Sequence, residues 1–193
     1  MAFDPSSSGP VTAKIVVAGG FGVGKTTFIG AISEIRPLKT EAAMTEAAQD
    51  VDDATLVASK TSTTVAMDFG KLTLDEDLAL YLFGTPGQGR FGFMWDDVAR
   101  GALGAIVLVD TRRIDDCYAA VDYFESRNIP LAVACNHFDG STVHDLEEVR
   151  SALNLAGDVP VFFTDARDPR RVRDALLEIL QHVLARLEAP AVA

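Results

Sequence analysis

The sequence predicts an α/β fold with a mostly parallel six-stranded sheet, one antiparallel edge strand and helices on both faces. Short runs rich in β-branched residues alternate with helical stretches, an order typical of parallel strands joined by crossover helices. Two further runs, Val65–Phe69 and Leu78–Phe83, are separated only by the turn-like segment Lys71–Asp77. That spacing predicts a single β-hairpin, and therefore a single antiparallel strand at the edge of the sheet.

The first and last elements carry the clearest signals. The strand Ala13–Ala18 leads into a glycine-rich segment and a helix from Lys25 to Ile35. The last helix, Pro169–Leu187, has Asp168 as its N-cap and an apolar stripe along its length. Between them we predict strands at Ala105–Val109, Leu131–Cys135 and Val161–Phe163, and helices at Ile114–Ser126 and Leu146–Leu153. Residues 36–63 show no clear period, and a segment of that length is usually functional or mobile.

Length and composition indicate a single globular domain. The chain has 193 residues, of which 48% are hydrophobic and 23% charged. We expect one domain over residues 12–188, between disordered tails at 1–11 and 189–193. The net charge of −11 argues against a role based on contacts with nucleic-acid phosphates or anionic lipids.

The sequence also gives an expectation for the compartment. It shows no secretory signal and no lipidation motif, so we expect a cytoplasmic protein that reaches a membrane only if partners recruit it. Cys117 and Cys135 are too few for a disulfide framework or a metal site, and we expect both to be reduced thiols.

A phosphate-binding loop follows the first strand. The segment Gly19–Thr26 matches G-x-x-x-x-G-K-[ST] at every fixed position, between a predicted strand and a predicted helix. Glycines let backbone amides approach phosphate oxygens, and the helix N-terminus favours an anion. Lys25 would reach the β- and γ-phosphates, and the Thr26 hydroxyl is a hard oxygen ligand suited to Mg²⁺. A chance glycine-rich turn is the alternative, but matches at all fixed positions are rare.

Three more motifs follow in the order expected for guanine-nucleotide sites. Gly84–Gln88 matches D-x-x-G-Q except at its first residue, and Asn136–Asp139 matches N-K-x-D with histidine for lysine. Asp165–Arg167 stands where an S-A-K motif should be. With these motifs the chain resembles the Ras-like small GTPases, which have a P-loop NTPase G domain, over about residues 12–187. Within that superfamily it is most similar to the bacterial MglA-like proteins and the actinobacterial conservon GTPases, on the basis of Thr63–Gly70 and the lost second-switch aspartate.

The resemblance implies a protein that binds GTP and GDP with Mg²⁺. Asp139 would accept two hydrogen bonds from guanine, which adenine cannot donate. Asn136 would tie this loop to the phosphate loop, His137 would stack on the base, and Ala166 would offer its amide to the guanine carbonyl. The full predicted nucleotide-binding set is Gly20, Phe21, Gly22, Val23, Gly24, Lys25, Thr26, Thr27, Gly87, Asn136, His137, Asp139, Asp165, Ala166 and Arg167.

The resemblance further implies slow GTP hydrolysis with Gln88, Lys25 and Thr64 as the catalytic residues. Gln88 would orient the attacking water, and the amide of Gly87 would sense the γ-phosphate. Thr64 would be a second Mg²⁺ ligand beside Thr26, with Thr63 and Thr61 as alternatives, and a plain strand-forming role also stays open.

Two departures from the family pattern weaken the expected chemistry. Gly84 stands where relatives have a metal-binding aspartate. Asp68 is not expected to replace it, because four strand residues beyond Thr64 span about 13 Å. Thr63 stands where some MglA-like proteins have an arginine, and Arg90 is more readily explained as a surface residue, so no built-in arginine finger is predicted.

The aromatic segment after the second switch suggests a partner surface. Phe91, Phe93, Met94 and Trp95 are expected to be mostly core, with nucleotide-dependent exposure of some of them to a regulator as the alternative. The resemblance implies a roadblock-type protein as that partner. Two other functions remain open: a GTP-binding module without hydrolysis, and a P-loop nucleotide kinase, whose arginine-bearing lid could only come from Arg170–Arg173.

Overall fold

The computed structural model describes residues 11–36, 38–43, 64–87 and 89–188. Seven strands lie within these ranges: β1 (Val11–Ala18), β2 (Leu38–Ala43), β3 (Thr64–Asp75), β4 (Leu78–Gly84), β5 (Gly104–Val109), β6 (Leu131–Asn136) and β7 (Val161–Thr164). The helices are α1 (Lys25–Ile32), α2 (Trp95–Ala99), α3 (Tyr118–Ser126), α4 (Leu146–Ala152) and α5 (Pro169–Glu188), with 3₁₀ helices at Gly89–Met94 and Thr111–Cys117.

The strands form one sheet in the order β2-β3-β4-β1-β5-β6-β7. Strand β1 pairs in parallel with β4 and β5, and β5, β6 and β7 continue the parallel ladder. Strand β3 runs antiparallel to both of its neighbours. The predicted α/β fold, with a mostly parallel sheet and one antiparallel strand, is therefore confirmed.

The edge of the sheet differs from the prediction. Strand β2 lies within the stretch that showed no period, and it adds a seventh strand outside β3. Its sequence, Leu-Lys-Thr-Glu-Ala-Ala, has no alternation of apolar and polar residues, so the pattern gave no strand signal. The strand is instead defined by its antiparallel pairing with β3, which runs from Leu38↔Phe69 to Ala43↔Thr64. The antiparallel strand is thus second from the edge.

Three element boundaries also differ. Helix α1 ends at Ile32 rather than Ile35, and the Ser33 hydroxyl there bonds both backbone groups of Ile35. Pro37 also disfavours helical geometry at the residue before it, Arg36. Helix α3 begins at Tyr118 rather than Ile114, because the residues before it form the 3₁₀ helix Thr111–Cys117. The predicted turn of seven residues shortens to the pair 76–77.

The core consists of two apolar layers on opposite faces of the sheet. Alternate residues of the central strands point to opposite sides, so Val16 and Ile15 belong to different layers. One layer packs against α3 through Phe124, and the other packs against α1 and α5 through Phe28 and Ile179. Because β5 and β6 are buried along their whole length, their sequences are almost continuously apolar.

The aromatic segment divides between core and surface. Trp95 is buried and meets Tyr123 edge-to-face, with ring centroids 5.2 Å apart. Phe93 leaves 56% of its surface exposed. The side chain of Phe91 lies outside the described residues. Throughout the described ranges, every helix is too short or too polar to cross a bilayer.

Candidate nucleotide-binding site

The phosphate loop connects the end of β1 to the start of α1 with three glycines at positive φ. Gly19, Gly22 and Gly24 have φ values of 131°, 73° and 105°, which side-chain-bearing residues rarely adopt. A Cβ on Gly19 would lie 2.4 Å from the Leu108 carbonyl oxygen of the neighbouring strand. Both the conformation and the close packing therefore require glycine at the start of the loop.

Lys25 lies inside the loop that precedes it. Its Nζ donates to the carbonyl oxygens of Gly19 (2.9 Å) and Gly20 (2.7 Å), and the side chain is buried. Burial lowers the pKa of Lys25 to about 8, and the nearby carboxylate of Asp68 partly opposes that shift. A buried ammonium held mainly by neutral carbonyl groups is suited to an incoming anion such as a phosphate.

A cleft of about 370 Å³ opens above this loop. It is lined by the loop residues Phe21, Gly22, Gly24, Lys25, Thr26 and Thr27, together with Asp68, Thr85, Pro86 and Gly87. Gly87 is packed so tightly that a Cβ would come within 2.7 Å of Lys25 Nζ and 2.9 Å of the Gly20 carbonyl oxygen. Gly87, in the second-switch segment, thus packs directly against the phosphate loop, and the contact of its amide with a γ-phosphate stays a prediction.

Asp68 occupies the position from which sequence reasoning had excluded it. Its Oδ2 accepts a hydrogen bond of 2.6 Å from the hydroxyl of Thr26. A Cβ on Gly84 would lie 3.1 Å from Asp68 Cβ and 3.4 Å from its Oδ2. The expectation that Asp68 could not reach this site was wrong, because the distance was counted along β3 from Thr64 rather than across to β4.

Asn136 joins the phosphate loop to two later segments. Its Nδ2 donates to the Val23 carbonyl oxygen (2.9 Å), and its Oδ1 accepts from the Ala166 amide (2.9 Å). The predicted tie to the phosphate loop is therefore confirmed. Because the Ala166 amide already has this partner, its assignment to a guanine carbonyl stays a prediction. Gly24 is part of the same contact, since a Cβ there would come within 2.7 Å of Asn136 Nδ2.

A second cleft, of about 210 Å³, adjoins the first at the phosphate loop. Gly22, Gly24 and Thr27 line both clefts. The other lining residues all come from the two later motifs: Asn136, His137, Phe138, Asp139, Asp165, Ala166 and Arg167. The fold thus brings the predicted phosphate-binding and base-binding residues together in two connected clefts.

Arg167 holds both acidic residues of the second cleft. Its Nη1 and Nη2 donate to Asp139 Oδ2 and Oδ1 at 3.0 and 3.2 Å. Its Nε and Nη2 also donate to Asp165 Oδ1 and Oδ2 at 2.9 and 2.8 Å. The guanidinium lowers the pKa of Asp165 to about 2 and lowers that of Asp139 as well. His137 Nε2 lies 3.8 Å from Asp139 Oδ1.

Two arginines that sequence reasoning missed, Arg112 and Arg113, contact the loops of the two clefts. The buried carboxylate of Asp110 accepts from Arg112 Nε (2.8 Å) and Nη2 (2.7 Å), and the Arg112 guanidinium lies 4.2 Å from the ring centre of Phe138. Arg113 Nη2 donates to the Phe21 carbonyl oxygen at 3.0 Å. The sequence did contain a signal for these contacts. Asp110 is an acidic residue at the end of a buried strand, and Arg112 and Arg113 follow it closely.

Several predicted residues are not assigned a position in either cleft. Gln88 lies outside the described residues, and so do the side chains of Thr64 and Arg90. The arginine group Arg170–Arg173 lies in the first turn of α5, and its side chains line neither cleft.

Comparison with known proteins places the chain in a family. Residues 17–186 match a family described as conserved hypothetical ATP binding protein. An uncharacterized protein of Methanocaldococcus jannaschii is 31% identical over 143 residues, covering 73% of this chain and 79% of its own. The narrower likeness to MglA-like proteins stays a prediction.

Solved structures show the same fold at low sequence identity. The G domain of the T. maritima FeoB iron transporter has a TM-score of 0.59 and 17% identity, covering 92% of this chain and 100% of its own. The FeoB G domain from Methanococcus jannaschii has a TM-score of 0.58 and 14% identity, covering 90% and 98%.

The whole cytosolic domain of T. maritima FeoB, in its apo form, has a TM-score of 0.61 and 18% identity, covering 90% of this chain. This chain spans 64% of the length of that domain. Together with the phosphate loop and its two clefts, these matches show that the chain belongs to the family of conserved hypothetical ATP binding proteins and is a P-loop nucleotide-binding protein with a G-domain fold.

Proposed function

We propose that this protein is a GTP/GDP molecular switch that hydrolyses GTP slowly with Mg²⁺. The observation that carries the proposal is the meeting of two clefts at one phosphate loop, with Lys25 in one and Asp139 in the other. A purine nucleotide spanning both would place its phosphates on the loop amides and its base against Asp139.

Base choice rests on Asp139. A carboxylate accepts hydrogen bonds from the ring N–H and the exocyclic amine of guanine, whereas adenine offers no such pair of donors. The second candidate is an adenine-nucleotide-binding protein, which the description of the matched family favours. Because Arg167 also satisfies the Asp139 carboxylate, a base that ignores Asp139 would not leave it unpaired.

Thr26 and Asp68 fit a Mg²⁺ site. Both offer hard oxygen atoms, and the hydroxyl of Thr26 donates to Asp68 while its lone pairs stay available to a cation. In this proposal Thr26 and Asp68 would hold the metal, with Asp68 in place of the carboxylate that Gly84 lacks, and Thr64 would be a further ligand in the triphosphate state. The bound metal would supply charge neutralisation between the β- and γ-phosphates.

Hydrolysis would depend on positioning. Gln88 would orient the attacking water, the Gly87 amide would contact the γ-phosphate, and Lys25 would neutralise developing charge. Among the described residues, no arginine lines the phosphate cleft. Since an arginine finger is worth roughly 10³–10⁵ in rate, we expect slow hydrolysis unless a partner supplies one.

The exposed ring of Phe93 supports a regulator-binding surface beside the second switch. Exposed aromatic side chains are frequent interface hot spots. We propose a roadblock-type regulatory protein as the partner, in keeping with the MglA-like resemblance. Buried Trp95 lies two residues from Phe93 and would report a rearrangement of this segment by fluorescence. Equal Trp95 emission and equal partner binding with GDP and a GTP analogue would contradict this part of the proposal.

The deciding experiment compares nucleotides directly. The nucleotide that co-purifies is identified by chromatography, and GTP, GDP, ATP and ADP then compete for a labelled guanine nucleotide in the presence of Mg²⁺. We expect guanine nucleotides to compete far better. Better competition by ATP would favour the second candidate instead. Single-turnover assays then measure phosphate release, and none after hours would leave a GTP-binding module without hydrolysis.

A further inference from the structure

Arg167 takes the same two oxygen atoms that a guanine edge would need. Its Nη1 and Nη2 lie 3.0 and 3.2 Å from the two carboxylate oxygens of Asp139, a bidentate pairing. A guanidinium presents two parallel N–H groups in one plane, and the ring N–H and amine of guanine present a comparable pair. The two groups therefore compete for one position in the plane of the carboxylate.

The contact with Asp139 is the weaker half of the Arg167 network. Asp139 leaves 82% of its side chain exposed, whereas Asp165 leaves 25%. Asp165 holds the guanidinium by two shorter hydrogen bonds, and its Oδ1 also accepts the Arg167 backbone amide at 2.9 Å. If the contact with Asp139 breaks, Arg167 can remain attached to Asp165.

We propose that Arg167 is an internal competitor of guanine, which weakens guanine-nucleotide binding and speeds nucleotide release by occupying Asp139. This inference rests on the proposed function, because only a base that is recognised by Asp139 has to displace the guanidinium. An adenine base does not use that carboxylate, so the competition lowers the preference for guanine without affecting adenine nucleotides.

The direction of the effect distinguishes this role from ordinary ligand binding. If Arg167 contacted the nucleotide favourably, its removal would weaken binding. If it competes, removal of the guanidinium strengthens guanine binding and leaves adenine binding unchanged. The pairing is exposed, so we expect a change of about two- to fivefold. Salt screens such a pair, so the difference should shrink between about 0.05 and 0.5 M salt.

The test uses the full chain and three variants: Arg167→Ala, Arg167→Lys and Arg170→Ala. Arg170→Ala is the control, because it also removes one positive charge nearby but its side chain lines neither cleft. Release of a fluorescent GDP is followed by stopped flow, and ADP affinity is measured by competition. Circular dichroism confirms that each variant is folded. We expect slower GDP release in Arg167→Ala, an intermediate rate in Arg167→Lys, no change in Arg170→Ala, and unchanged ADP affinity throughout.

Two failures can be told apart. If wild-type protein binds ADP as well as GDP, the proposed function fails before any variant is compared, and the inference fails with it. If wild type prefers GDP but Arg167→Ala releases it equally fast or faster, only the competitor role is overturned. An equal gain in ADP affinity would also overturn it, because a general charge effect would then explain the result.

Discussion

Asp68 on β3 lies beside Gly84 on β4, so a carboxylate from β3 stands next to the glycine that replaces the second-switch aspartate. A Cβ on Gly84 would lie 3.1 Å from Asp68 Cβ and 3.4 Å from its Oδ2, closer than side chains usually pack, so a side chain at position 84 would crowd the Asp68 carboxylate. Asp68 in turn accepts the hydroxyl hydrogen of Thr26 at 2.6 Å. The carboxylate absent from the second-switch motif is present across the hairpin.

If Asp68 takes the role of the missing second-switch aspartate, its removal should affect Mg²⁺ binding and hydrolysis. Replacing Asp68→Ala should weaken Mg²⁺ binding and slow hydrolysis by about 10- to 100-fold, because the hydroxyl of Thr26 loses the group that orients it. The double variant Asp68→Ala with Gly84→Asp should recover part of the loss. Magnesium titrations of single-turnover hydrolysis measure both effects. Unchanged magnesium dependence in Asp68→Ala would rule out this role.

Gly87 should not tolerate even a methyl group. Its Cβ would meet Lys25 Nζ at 2.7 Å and Phe21 Cα at 2.9 Å, so Gly87→Ala must displace the second-switch segment or the phosphate-binding lysine. We expect a loss of about 1–3 kcal/mol in nucleotide binding, measured by calorimetry. Gly157→Ala is the matched control, since nothing lies within 4 Å of a Cβ at that position. Equal affinities of the two variants would contradict the packing argument.

Removing the Asn136 side chain should damage stability and binding together. Asn136→Ala leaves the Val23 carbonyl and the Ala166 amide without their partner, at a cost of about 1–3 kcal/mol in the free energy of unfolding. Denaturant titration measures that cost. Asp145→Ala, which removes the N-cap of α4 away from both clefts, should cost about 1 kcal/mol without changing nucleotide affinity. If both variants lost similar nucleotide affinity, general destabilisation would explain the effect of Asn136→Ala.

Both cysteines should be unreactive in the folded protein. Burial raises the pKa of Cys117 to about 12 and that of Cys135 to about 11, and the thiolate is the reactive form. At pH 8 we expect no rapid reaction with Ellman's reagent until denaturant is added, when two thiols should react. A fast-reacting thiol in native protein would contradict this burial.

The same shifts give a sign for the pH dependence of stability. Above the ordinary thiol pKa of 9.0, the unfolded chain releases these protons while the folded chain retains them. The contribution of the two thiols to stability should therefore be complete below pH 9 and decline as the pH rises further. Serine substitutions at both positions should reduce that decline, as measured by melting temperature.

The sequence predicted the features that depend on local pattern. The phosphate loop could be located from its glycines, since positive φ at Gly19, Gly22 and Gly24 demands that residue type. The central strands were found because they are buried on both faces and are continuously apolar. Strand β2 was missed because its ladder rests on backbone pairing, which leaves no mark on side-chain periodicity.

The part of the site that could not be predicted depends on contacts across the sheet. The approach of Asp68 to Thr26 follows from the pairing of β3 with β4, which residue spacing along one strand does not reveal. The bidentate contact of Arg167 with Asp139 likewise joins two loops that only the parallel order of β6 and β7 makes neighbours.

The two hydrogen bonds of Asn136, which lines the second cleft, have a mechanical consequence. One side-chain amide links the phosphate loop, the end of β6 and the residues before α5. These three segments therefore move together unless one of the two hydrogen bonds breaks. A partner protein that displaced any one of these segments would therefore disturb both clefts at once.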